Sequence, residues 1–175
     1  MHLELAHRYW KELLRKGDLA VDMTVGNGHD TLVLAELLPE GKVVGFDIQE
    51  AAIEATRKRV AGHSVQLIHG SHTKLKDLTL PCSPRLIVYN LGYLPGSDKS
   101  ITTMTETTLE SLVIALKIVS ADGAISVMCY PGHDEGKREY EAVLGWIKEL
   151  HGVEVKHHPG SARRPSLVWV KPCTR

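Results

Sequence analysis

The sequence predicts an α/β fold, a mostly parallel sheet with helices packed on both faces. Three observations predict it. Short apolar runs alternate with amphipathic stretches along nearly the whole chain. The runs are continuously apolar, as in strands covered on both sides. A glycine turn, "VDMTVGNGHDT" (21–31), joins the first run to the next helical stretch.

The elements follow in order. Residues 2–16 have amphipathic spacing with charges inside it, and Gly17 is a stop signal. "LAVDM" is a short buried strand. A helix over 30–38 ends at Pro39 and Gly41. "KVVGFDI" is the second strand, and the helix "QEAAIEATRKRVAG" closes on Gly62. "SVQLIHG" and "RLIVYNL" are the third and fourth strands. A polar loop over 92–103 precedes a helix over 106–119. "GAISVMCY" is the fifth strand, and 134–150 is a helix with Asp134 as the expected N-cap. "VEVKHH" and "SLVWVKP" close the chain as a hairpin or as adjacent strands. In such sheets a ligand sits outside the carboxyl ends of the strands. The loops after Met23, Ile48, Gly70 and Asn90 should therefore share one crevice.

Composition narrows the function. A length of 175 residues suits one domain, 1–175, opened by the helical segment 1–17. Lys plus Arg and Asp plus Glu are both 21, so any nucleic-acid contact must come from a local patch. Cys82, Cys129 and Cys173 show no CxxC spacing, which excludes a disulfide framework and a thiolate zinc site and fits a reducing cytoplasm. No apolar run approaches the roughly 18 residues of a membrane helix, and the N-terminus is not a signal peptide. The ten histidines show no metal-ligand spacing, and none is assigned a metal.

Gly26 and Gly28 would let a ligand approach the main chain, with the amides of the following helix aimed at it. The dinucleotide fingerprint is incomplete, because Thr31 stands at the third glycine position. Asp47 ends the second strand 19 residues after Gly28, where a carboxylate accepts bonds from ribose hydroxyls. Asp22 precedes the glycines, where a pyrophosphate calls for no acid but a cationic methionine moiety would. The set fits S-adenosylmethionine better than NAD. The competing reading is a plain strand–helix turn, with Asp47 capping the next helix.

"NLGYLPGSDKS" (90–100) supplies the acceptor side. The side-chain carbonyl of Asn90 and the backbone carbonyl of Leu91 could accept hydrogens from an amine and aim its lone pair, and Tyr93 could stack on a base. The stretch looks like the Asn/Asp-Pro-Pro-Tyr loop of amino methyltransferases, with Leu-Gly in place of Pro-Pro. It also spells an ordinary turn region.

"DMTVGNGHDTL", "GFDIQEAAIEATRKR", "GSHTKL", "NLGYLPGSDKSITTMTETTLESL" and "YPGHDEGKREYEAV" together resemble successive blocks of the rRNA-methylase-type family. That family includes the methyltransferases that complete 5-methylaminomethyl-2-thiouridine at the tRNA wobble position. The resemblance implies a Rossmann-like class I methyltransferase fold, with a mostly parallel seven-stranded sheet and a C-terminal antiparallel strand. It implies S-adenosylmethionine as donor, the anticodon region of tRNA as substrate, a homodimer, no membrane contact and a cytoplasmic location. The cofactor side comprises Asp22, Thr24, Gly26, Asn27, Gly28, Asp30, Thr31, Asp47, Ile48, Gln49, Ser71, His72 and Asn90. The catalytic set is Asn90, Leu91 and Tyr93. The acceptor side adds Gly92, Asp98, Lys99, Thr102, Thr105, His133, Arg163 and Arg164. Two departures stand out. The family usually carries an acid where this chain has Gly70, and an Asn-Pro-Pro before the last strand where it has "SARRPSLVWV". An rRNA or small-molecule N-methyltransferase, and a non-catalytic nucleoside-binding module, are the alternatives.

Overall fold

The computed structural model describes residues 2–92, 103–161 and 164–173. Seven strands form one sheet in the order β3-β2-β1-β4-β5-β7-β6. They are β1 (Leu19–Asp22), β2 (Lys42–Asp47), β3 (Val65–His69), β4 (Leu86–Asn90), β5 (Ala124–Cys129), β6 (Val153–His158) and β7 (Ser166–Pro172). The first five are parallel, and β7 runs antiparallel between β5 and β6. Strand order reverses between β1 and β4, which places the crevice there.

The closing strands are antiparallel neighbours, as expected, but β7 takes the inner place. Its apolar run "SLVWV" is wholly buried, whereas β6 alternates as an edge strand does.

Five helices cover the sheet: α1 (His2–Leu13), α2 (His29–Leu37), α3 (Glu50–Arg59), α4 (Thr105–Ile118) and α5 (Asp134–Glu149). On one face Leu19, Val21, Ile87 and Val127 pack with Leu112 and Ala115 of α4 and Val143 of α5. On the other, Ala20, Val43 and Val88 pack with Ala6 and Trp10 of α1 and Leu34 of α2. The period-2 alternation of each strand feeds both layers.

Two local expectations are corrected, and one element is added. The first helix stops at Leu13, because Arg15 N donates to the Asp18 carboxylate at 2.8 Å and turns the chain early. A 3₁₀ segment, His72–Asp77, follows β3; it is about two turns long, too short for its periodicity to stand out. The cap of α5 is His133, not Asp134: His133 Nδ1 accepts from Gly136 N at 3.1 Å, and Asp134 is the first helical residue.

Candidate functional site

The turn after β1 passes over the end of β2 and is held from both sides. Val25 N donates to Phe46 O at 3.0 Å, and Gly26 N donates to Asp47 Oδ2 at 3.0 Å. Gly26 and Gly28 have φ of 53° and 80°. A Cβ on Gly28 would lie 2.9 Å from Thr56 Cα, so this glycine also sets how closely the turn packs on α3. In a dinucleotide site close helix packing is the task of a third glycine. Here Gly28 performs it, and Thr31 is free to do something else.

Thr31 is fully buried, and its hydroxyl donates to Asp22 Oδ2 at 2.7 Å. Thr24 N donates to Asp22 Oδ1 at 3.1 Å. Asp22 is itself 1% exposed, and burial pushes its carboxyl up to about 7, the charges of Asp30 and Asp47 adding to the shift. Both residues therefore support the turn from beneath. Asp22 and Thr31, both expected on the cofactor side, are bonded to each other in this structure and leave almost no exposed surface.

Asp47 is half-buried at the carboxyl end of β2, with Oδ1 accepting from Gln49 N at 2.9 Å. Ile48 beside it is 50% exposed, an apolar surface at the mouth of the crevice. Asn27 is half-buried, and its carbonyl accepts from Arg59 Nε at 2.7 Å. A half-buried acceptor beside an exposed aliphatic side chain, under a turn of open backbone, suits a nucleoside.

At the carboxyl end of β3, Ser71 Oγ accepts from Thr73 N at 3.2 Å and so caps the 3₁₀ turn. His72 was expected on the cofactor side. Its ring instead packs edge-on against Tyr89, 6.1 Å between centroids, beneath the sheet surface, and burial pulls its pKa down against the opposing Thr107 carbonyl. The Gly70 site, where the resemblance leads one to expect an acid, is covered by the Lys74 side chain, whose Nζ lies 3.5 Å from His69 O.

The acceptor side centres on Asn90. Its backbone N donates to Thr24 Oγ1 at 2.7 Å, tying β4 to the glycine turn. Its Nδ2 donates to Asp30 Oδ2 at 3.0 Å, and Asp30 Oδ1 accepts from His7 Nε2 at 2.8 Å. The side chain of Asn90 also bonds the hydroxyl of Tyr130, whose pKa is raised by burial and by the Asp30 charge. A carboxylate accepts only, so Asp30 fixes which end of the amide is nitrogen and leaves the carbonyl oxygen on the other side. Asp30 thus acts through Asn90. Leu91 is buried by its side chain, with its N bonded to Met128 O at 2.9 Å.

The loop beyond Leu91 is anchored at both ends by α5. Gly92 N donates to Thr103 Oγ1 at 2.8 Å, and that hydroxyl donates to Glu139 Oε2 at 2.7 Å. Thr105 donates to Glu135 through its backbone N and its hydroxyl, at 3.0 and 2.9 Å. Thr105 is buried, so it anchors the loop where an acceptor contact was expected. His133 uses Nδ1 as a cap, which withdraws that nitrogen from the acceptor side. Tyr93, Asp98, Lys99, Thr102 and Arg163 lie outside the described residues. Arg164 is exposed in the turn before β7. Among the described residues no group of three or more His, Cys, Asp or Glu could hold a metal ion. Nor is any helix there long and apolar enough to cross a membrane.

His7, Tyr130, Glu135 and Glu139 were not singled out from the sequence. Tyr130 had one available signal, its place just past the fifth strand. The other three have none, since each meets its partner across 23 to 36 residues of chain.

The fold and the sequence match known proteins. A solved structure titled "putative rRNA-methylase" from Clostridium thermocellum superposes with a TM-score of 0.91 at 36% identity, covering 97% of this chain and 96% of that one. A Streptococcus mutans methyltransferase solved in complex with SAH gives 0.85 at 32% identity, covering 96% of each. A curated relative from Arabidopsis thaliana, the chloroplastic tRNA (mnm(5)s(2)U34)-methyltransferase, is 37% identical over 154 residues, 80% of this chain. The chain spans 56% of that plant relative's length. The family described as "Putative rRNA methylase" matches residues 43–160, and the chain belongs to it.

Proposed function

We propose that the chain is an S-adenosylmethionine-dependent N-methyltransferase that converts 5-aminomethyl-2-thiouridine at the tRNA wobble position to 5-methylaminomethyl-2-thiouridine. The observation that carries the reading is the Asn90 amide, held at the strand-reversal point with Nδ2 on Asp30. The name of the plant relative and the SAH complex of the streptococcal one support the substrate and the cofactor.

Asp47, Ile48, Gln49 and the turn Thr24–Gly28 would hold the cofactor, and their chemistry fits its nucleoside part. When bound, it supplies an electrophilic methyl group on a sulfonium. The Asn90 carbonyl oxygen and the Leu91 carbonyl accept the hydrogens of a neutral amine and direct its lone pair. Orientation of this kind contributes about 7–11 kcal/mol in favourable cases. An aliphatic amine is largely protonated at neutral pH, so a proton must leave first. Asn90 cannot take it, and solvent at the open crevice can. A carbon acceptor would call for a thiolate, but Cys129 is buried in β5 and burial raises its pKa. The anticodon region as docking site, a homodimer and a cytoplasmic location complete the reading, on the strength of the resemblance.

Asn90→Ala should leave S-adenosylmethionine affinity within about twofold by calorimetry and abolish labelled methyl transfer to tRNA. Turnover at the wild-type rate would remove Asn90 from the mechanism. Nucleoside mass spectrometry of the product separates this reading from an rRNA or small-molecule methyltransferase. Binding without transfer to any tRNA pool would favour a non-catalytic module.

A further inference from the structure

We propose that the hollow between α1 and the turn preceding β7 docks the phosphodiester backbone of the RNA substrate, with Arg8 and Arg164 holding phosphate. The proposal rests on the reading of the chain as an RNA methyltransferase and extends it to a surface outside the crevice.

The hollow has a volume of about 440 Å³ and is lined by His2, Glu4, Leu5, Arg8 and Arg164. Its position follows from the topology. The end of α1 meets the amino edge of the sheet, where Arg85 Nε donates to Leu13 O at 3.1 Å. The start of α1 therefore lies at the carboxyl edge, where His7 reaches Asp30. Because β7 is antiparallel, its first residue, Ser166, pairs with Cys129 at that same edge. The hollow thus opens beside the crevice that holds Asn90, and Arg8 is the residue after His7.

Both arginines are exposed, and among the described residues no ion pair involves either. Arg57, Arg85 and Arg138, by contrast, each pair with a carboxylate. The frame that presents the two is fixed. His2 Nδ1 donates to Pro165 O at 2.7 Å, joining α1 to the turn. Arg164 and Ser161 exchange backbone bonds of 2.9 and 3.0 Å. A Cβ on Gly160 would lie 2.2 Å from Arg164 O, so only glycine lets the turn close. A chain with zero net charge attracts a polyanion only through local cations, and guanidinium is the side chain best shaped for phosphate. Among the described residues Glu4 is the one acid lining the hollow; it has an interaction of its own, and its charge opposes phosphate.

The test is tRNA binding by fluorescence anisotropy across a salt series, with the full chain. Arg8→Ala and Arg164→Ala should each weaken binding several-fold and lower the slope of log K against log salt by about 0.7–0.9. Glu4→Gln should tighten binding. Lys117→Ala makes the same charge change at the far edge, where Ser120 N meets Pro84 O, and should do neither. S-adenosylmethionine affinity should be unchanged throughout. Arginine variants that behave like Lys117→Ala would overturn the proposal. So would a loss of RNA affinity that tracks loss of a dimer in sedimentation, which would assign the hollow to self-association. A wild-type chain that binds no RNA would overturn both the proposal and the function beneath it, so the two failures are distinct.

Discussion

Replacing Asp22 with Asn should stabilise the protein at alkaline pH, by an amount that depends on pH in a defined way. The Asp22 carboxyl is fully enclosed, and burial pushes its pKa up to about 7, well above the usual carboxylate range. The native state therefore holds a proton that the unfolded chain releases between about pH 4 and 7. Where the native state binds more protons, stability falls as pH rises. The contribution is fully present below the unfolded pKa and is lost through pH 7. The rise from the ordinary carboxylate range to about 7 corresponds to a ceiling of about 4 kcal/mol, at about 1.36 kcal/mol for each tenfold change in proton affinity. An amide has the shape of the protonated acid. Its oxygen can still accept from Thr24 N, and its NH₂ can donate to a rotated Thr31 hydroxyl. The difference in unfolding free energy, variant minus wild type, should therefore grow by about 1.4 kcal/mol per pH unit between pH 5 and 6.5 and level off above 7. Urea unfolding of both proteins at pH 4, 5, 6, 7 and 8 measures it. Taking the difference cancels other titrating groups, including buried Glu139, whose pKa is also raised by burial. A flat difference from pH 5 to 8 would refute the idea that Asp22 is held in a water-excluded site.

Two further outcomes are expected. Asp30→Ala removes the acceptor that orients Asn90, a charge-assisted bond of about 1.5–3 kcal/mol, so kcat should fall about 10–100-fold while cofactor affinity changes less than threefold; a variant that instead loses cofactor binding would make Asp30 a cofactor ligand. Gly28→Ala forces a side chain into left-handed backbone and against Thr56 Cα, at a cost of about 2–4 kcal/mol readable as a lowered denaturation midpoint; an unchanged midpoint would mean that the turn can relax away from α3.

Much of the architecture was legible in the sequence because its signals are local. The unbroken apolar runs of β1, β4 and β5 announce strands buried on both faces, and Gly26 and Gly28 announce the turn between β1 and α2. The place of Asp47 was legible too, since a strand end and a spacing define it. The fate of Asp22 and Thr31 was not. Both sit in the glycine-turn motif expected to hold the cofactor, and they bond each other. Composition could not distinguish a residue facing a ligand from one supporting the residue that does.

The sequence alone determined the alternation of strands and helices, and thus which loops gather at the carboxyl edge, because hydrophobic periodicity and turn chemistry act within a few residues. Only the tertiary structure decided what each polar side chain in that crevice does. Asn90 meets Asp30 across 60 residues, Glu139 meets Thr103 across 36, and β7 inserts between β5 and β6. Hydrogen-bond partners so distant in the chain leave no local pattern, and packing alone selects among them.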